Sequence, residues 1–118
     1  NMVVVENNLK LQVEASARLL SIMSNSSRIH VLRLLTQREW DVNSLAQHVN
    51  LSQSALSQHL KKMRDAKLVE WRQQAQTRYY YCQSNAVLKI LDAIADLPYV
   101  HHHGVSGADV SHRNTFPL

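Results

Sequence analysis

From Asn1 to His103 the chain contains no glycine, and no proline precedes Pro98. These are the two residues that interrupt helices, one through backbone entropy and the other through a missing N–H. A stretch so free of both predicts a mainly helical body. The length of 118 residues suits one domain with a modest core, small enough that a second chain would help to stabilise it. The folded unit is expected over residues 1–98. Residues 99–118 are rich in His, Gly and Ser, lack periodicity and are expected to be irregular.

Apolar spacing divides the body. Leu9, Val13, Ala17 and Leu20 form one stripe of a helix over Asn8–Met23, widened by Ala15, Leu19 and Ile22. A stripe that wide asks for burial on two sides. Ser24-Asn25-Ser26-Ser27 is a break rich in N-cap residues, followed by a helix from about Ser27 to Thr36. Its inward residues are Ile29, Leu32 and Leu35, with Arg28 and Arg33 off that face. Asp41 can cap a short helix, Val42–Val49, and Asn50 then supplies a residue tolerant of a left-handed backbone. Leu51 is expected as a buried turn residue and Ser52 as the next N-cap.

The helix from Ser52 to Ala66 carries its apolar residues at Leu56, Leu60 and Met63. At 100° per residue these span about 60° of its surface. The opposite side and its flanks carry Gln53, Ser54, Ser57, Gln58, Lys61, Lys62 and Asp65. Amides and hydroxyls can reach base edges and lysines can reach phosphates. Leu68–Trp71 and Thr77–Cys82 then read as two strands rich in aromatic residues, with Arg72 to Gln76 between them. A hairpin directly after a reading helix is a wing, and its Arg72 and Arg78 can meet flanking phosphate or the minor groove. Ser84 or Asn85 caps a last helix, Ala86 to about Asp96, whose apolar face is Val87, Ile90, Leu91 and Ile94. The expected fold is mainly α with a small β-hairpin, ordered α-α-α-α-β-β-α: a winged helix-turn-helix.

Charge points the same way. Lys61 to Arg78 holds six basic residues and two acids, a surplus equal to the +4 of the whole chain. Clustering of this kind is expected of a phosphate-binding surface, although a solvated helix face gives the same pattern.

These residues resemble a family. Leu51-Ser52-Gln53-Ser54-Ala55-Leu56-Ser57-Gln58-His59-Leu60, followed by Leu68-Val69-Glu70, is similar to the recognition helix and the approach to the wing in the ArsR/SmtB repressors. Ser24-Asn25 with Arg28 resembles the family's Asn-x-x-Arg start of the second helix, with Ser26 where proline is frequent. Arg72, Ala75-Gln76-Thr77, Tyr79-Tyr80 and Ala86–Leu91 are most similar to the rhizobial nodulation-gene repressor branch. The resemblance covers roughly residues 8 to 97. It implies a homodimer formed by the first and last helices, a pseudo-palindromic double-stranded DNA operator, and repression of transcription. Base contacts carry over to Gln53, Ser54, Ser57 and Gln58, and backbone contacts to Lys61, Lys62 and the wing.

The metal and redox devices of such a family find little purchase. A soft-metal site in the third helix needs two thiols, and Val42–Val49 has none. A site on the last helix starts from Asp-x-His, but Asp92 is followed by Ala93 and Ile94. His101, His102 and His103, with His112 beyond, are the remaining candidates for a metal-gated sensor, with a solvated tail as the alternative. Cys82 has no partner thiol in the chain; it reads as structural, with single-thiol redox sensing as the alternative. His48 and His59 read as packing or phosphate neighbours. No nucleophile constellation or phosphate loop is visible, so the chain reads as a non-enzyme with no implied cofactor. No apolar run is long enough to span a bilayer and no signal peptide is recognisable, which with the lone cysteine suggests the cytoplasm. A winged helix used for protein contacts is the remaining alternative, but it would favour apolar anchors where this helix presents Ser, Gln and Lys.

Overall fold

The computed structural model describes residues 1–98, so the expected irregular tail and its histidines lie outside the described residues. The elements run α1 (Met2–Met23), α2 (Ser26–Gln37), β1 (Trp40–Asp41), α3 (Val42–Val49), α4 (Gln53–Asp65), β2 (Glu70–Gln74), β3 (Thr77–Tyr81) and α5 (Asn85–Ile94). The expected order is present, with one added strand. Among the described residues no helix is long and apolar enough to cross a membrane.

Each helix start has a side-chain cap. Asn1 Oδ1 accepts from the Val4 N–H at 3.0 Å, which lets α1 begin six residues before the expected Asn8. The β-branched run Val3-Val4-Val5 has poor intrinsic helix propensity, which hid that first turn. Asn25 Oδ1 accepts from the Arg28 N–H at 3.1 Å and starts α2 one residue earlier than expected. Ser84 Oγ accepts from the Val87 N–H at 3.2 Å and starts α5.

The core is built from α2, α3, α4 and α5 closed by the sheet. Val31, Leu32, Leu35, Leu45, Leu56, Leu60, Met63, Val69 and Val87 are fully buried or nearly so. The sheet order is β1-β3-β2, all antiparallel. Its register aligns Trp40, Tyr80 and Trp71 in one row across the three strands. Trp40 and Tyr80 are buried and Trp71 half-buried, so this row seals the core from below.

One protomer covers only part of the α1 stripe, through Leu19 and Ile22, and two expectations need correction. The Leu9, Val13 and Leu20 stripe is not buried within the protomer; these residues are 58%, 58% and 53% exposed, and only Met23 of α1 is buried. The hairpin is longer and tighter than expected: β2 spans Glu70–Gln74 rather than Leu68–Trp71, and only Ala75 and Gln76 form the turn. Leu68 and Val69 are instead buried core residues ahead of the strand, and Cys82 falls just after β3. Leu51 is half-buried rather than buried, packed on the edge of the core.

Candidate nucleic-acid interface

The turn between α3 and α4 sets the outward direction of α4. Asp41 Oδ2 accepts from the Ser44 N–H at 3.0 Å at the start of α3, and that bond holds the Asp41 carboxyl below the usual carboxylate range. At the far end Asn50 takes φ 58 and ψ 49. Its N–H donates to Gln47 O at 3.3 Å, and the Leu51 N–H donates to Ala46 O at 3.0 Å. This paired closure turns the chain sharply, and asparagine is the non-glycine residue best able to enter it. Ser52 Oγ then accepts from the Ala55 N–H at 3.1 Å and starts α4.

α4 divides as its sequence predicts. Leu56, Leu60 and Met63 are buried at 0–2% exposure, while Gln53, Ser54, Ser57, Gln58, Lys61 and Lys62 are all exposed. The helix has 13 residues, about 20 Å at 1.5 Å per residue, enough to lie along a major groove. Gln53 Nε2 donates to Asn43 Oδ1 in α3 at 2.9 Å. Ser52 and Ser54 share a hydroxyl contact at 3.3 Å. Lys61 Nζ donates to Asp65 Oδ2 at 2.9 Å, a wet pair one turn apart that a phosphate can replace. The Lys61 hydrogen bond pulls the Asp65 carboxyl below its usual range.

Two contacts tie the reading helix to the rest of the fold. At its end, the Leu68 N–H donates to Met63 O and the Lys67 N–H to Arg64 O, each at 2.8 Å, with Lys67 at φ 64. A lysine therefore occupies a left-handed closing position where glycine is usual. Along its inner edge, Arg28 Nε donates to His59 Nδ1 at 3.1 Å, and Arg28 Nη1 donates to Ile22 O at 3.1 Å. One guanidinium thus joins the end of α1 to the middle of α4. Arg28 lies half-buried rather than turned away from the inward face, and the Asn-x-x-Arg string gains a physical meaning: the asparagine caps and the arginine braces. Desolvation, then the neighbouring Arg28 and Lys62 charges, pull the His59 imidazole below its ordinary value.

The wing holds its two arginines differently. Arg78 lies over the Trp71 ring at 4.1 Å, with Arg64 of α4 on the same ring at 5.8 Å. Arg72 sits within β2 instead of in a connecting loop. Its Nε and Nη2 donate to both carboxylate oxygens of Glu39, at 2.7 and 2.9 Å, and its guanidinium lies over the Tyr79 ring at 4.8 Å. The Arg72 hydrogen bond holds the Glu39 carboxyl below its usual range. Arg72 therefore braces the wing against the chain ahead of β1, and a phosphate would have to compete with Glu39 for it. An open polar groove of about 480 Å³ runs between the hairpin turn and the leading ends of α3 and α4, lined in part by Asn43, Gln53, Thr77 and Arg78.

Sequence reasoning missed Asn43, Glu39 and the inward role of Arg28. Each pairs with a residue 10 to 33 positions away, beyond the reach of helical or strand spacing. Among the described residues the gating candidate Cys82 does not join the surface. Cys82 is buried, its N–H donates to Leu35 O at 3.0 Å, and desolvation pushes its thiol upward, away from the reactive thiolate. His48 packs beside Trp40 with ring centroids 5.0 Å apart. Among the described residues no group of three or more His, Cys, Asp or Glu side chains could hold a metal. His101, His102 and His103 lie outside them.

Comparison with known proteins agrees with this fold. The pattern of the family described as "Bacterial regulatory protein, arsR family" matches residues 25–70. The nodulation protein NolR of Rhizobium meliloti is 51% identical over 84 residues, covering 71% of this chain and 69% of NolR. The crystal structure of NolR from Sinorhizobium fredii superposes with a TM-score of 0.72 at 41% identity, covering 84% of this chain and 94% of that one. The homodimeric winged helix-turn-helix DNA-binding domain of a Mycobacterium bovis protein, a possible ArsR-family transcriptional regulator, superposes at 0.66 with 26% identity. It covers 80% of this chain and 92% of that one.

Proposed function

The chain belongs to the ArsR family of bacterial regulatory proteins, and we propose that it regulates transcription in the cytoplasm as a homodimeric repressor bound to a pseudo-palindromic operator. The observation that carries this reading is the two-sided character of α4, apolar and buried on one edge, amide, hydroxyl and cation on the other. Placed in the major groove, Gln53, Ser54, Ser57 and Gln58 meet base edges. Lys61 and Lys62 meet the backbone on either side, and Arg78 extends the contact from the wing. Arg72 contributes by holding the wing in place and meets phosphate only after leaving Glu39.

Two reading helices related by a two-fold axis call for two half-sites about one helical turn apart, hence a pseudo-palindrome. The exposed apolar stripe of α1 and the exposed Leu88 of α5 supply the surface for that axis. A dimer seated over a promoter blocks polymerase without any chemistry of its own, which is why no catalytic residue is required.

Selection of bound sequences from a random duplex pool tests the reading. One enriched two-fold-related motif is expected, with affinity falling steeply as salt rises. Gln58→Ala should cost about 1–3 kcal/mol on the selected site and alter the preferred base at one position. Lys62→Ala should weaken selected and scrambled duplexes equally. Equal losses on both duplexes for both variants would overturn the division of roles. Failure to enrich any sequence would overturn the reading as a whole.

A further inference from the structure

Gln53 and Asn43 stand in the first turns of two different helices, α4 and α3, and are joined by the 2.9 Å bond from Gln53 Nε2 to Asn43 Oδ1. Asn43 has no part in starting α3, because Asp41 supplies that cap. Both side chains are exposed. A hydrogen bond between exposed amides adds little to stability, since water offers either partner an equivalent bond. Its consequence is orientation.

A glutamine amide carries one acceptor oxygen and two N–H donors on its nitrogen. Asn43 engages one of those donors. With the N–H remote from Oε1 given to Asn43, Oε1 and the N–H beside it stay free, an acceptor beside a donor. That pair matches the major-groove edge of adenine, which offers the N6 amino donor beside the N7 acceptor. Without Asn43 the amide rotates freely about its last torsion and can present its donor end or its acceptor end to a neighbouring base. The location favours reading. The two amides line the open groove where the leading end of α4 faces Thr77 and Arg78 of the wing, and Arg78 is itself held over the Trp71 ring at 4.1 Å.

We infer that Asn43 is a positioning residue that fixes the Gln53 amide so that Gln53 selects adenine. Asn43 touches no base itself. The inference rests on the DNA-reading role proposed above and adds the base class read by one residue and the side chain that sets it.

The test is sequence selection from a random duplex pool with the full chain, run in parallel for the wild type, Gln53→Ala, Asn43→Ala, Asn43→Asp and the Asn43→Ala/Gln53→Ala double variant. Gln53→Ala should lose an adenine preference at one position of each half-site. Asn43→Ala should reduce the preference at that same position by about fivefold to tenfold, within the range carried by a two-bond base contact, and change affinity for scrambled duplex by less than about twofold. Asn43→Asp keeps the acceptor oxygen, so the preference should survive while its added negative charge weakens binding to every sequence. The double variant should show the profile of Gln53→Ala alone. A wild-type preference in Asn43→Ala, an effect at a different position, a non-adenine base at the Gln53 position, or a further loss in the double variant would each overturn the inference while leaving the DNA-reading role standing. If the wild type enriches no sequence, the role and the inference fall together.

Discussion

Arg28 and His59 show how much one side-chain pair can couple. The Arg28 guanidinium reaches a carbonyl at the end of α1 and the imidazole of the reading helix at once. Accepting that bond requires an unprotonated Nδ1, so the contact selects a neutral ring. With its folded-state pKa below the ordinary value near 6.5, His59 binds its proton more readily in the unfolded chain. Its contribution to stability is present above about 6.5 and is lost as pH falls through the folded-state value. The shifted carboxylates Glu39, Asp41 and Asp65 titrate well below this window. The urea midpoint should therefore fall between pH 7.5 and 5.5, and fall less in His59→Gln. Equal falls in the two proteins would show that the Arg28–His59 contact does not couple to protonation. The candidate reading residues were legible at this scale because an exposed face of Gln, Ser and Lys opposite Leu56, Leu60 and Met63 follows from helical period alone. Asn43 was not legible, because its pairing depends on how two helices cross.

Among the elements, the wing departed most from its sequence pattern. Arg72-Gln73-Gln74 has no apolar alternation and reads as a connection, yet it forms the outer half of β2. Pairing with β3 overrides weak local preference, and Glu39 orients the Arg72 side chain on the strand so formed. The turn then contracts to Ala75 and Gln76, with Ala75 held at φ 55, a conformation that glycine takes more cheaply. β1 was equally hidden, since two residues carry no periodicity and Trp40 finds its place only opposite Tyr80. The Glu39–Arg72 pair is exposed and screened, so Glu39→Gln should leave the unfolding midpoint nearly unchanged. It should instead free Arg72 for phosphate. Affinity for scrambled duplex should rise and its salt dependence should steepen by roughly one counterion, measured by fluorescence anisotropy across a salt series. An unchanged salt slope would assign Arg72 a bracing role only.

The whole molecule is organised around a surface that one chain leaves uncovered. Val13 and Leu20 of α1 and Leu88 of α5 are large, apolar and exposed in the protomer. A patch of that kind marks an interaction site, and a second copy is the partner that the proposed operator symmetry demands. Leu20→Glu places a charge in that contact. It should shift the protein from dimer to monomer in sedimentation and cost more affinity on a full operator than on an isolated half-site. A variant that stays dimeric would place the axis elsewhere. The sequence alone determined the helices apart from the first six residues of α1, the caps at Asp41 and Ser52, the left-handed Asn50 and the two faces of α4. All of these depend on residues within a few positions of one another, where propensity and period act directly. Only the tertiary structure decided that Arg28 braces His59, that Glu39 holds Arg72, that Asn43 orients Gln53, and that the wide stripe of α1 stays bare in the protomer. Those outcomes depend on which distant surfaces meet, and a linear pattern carries no record of that.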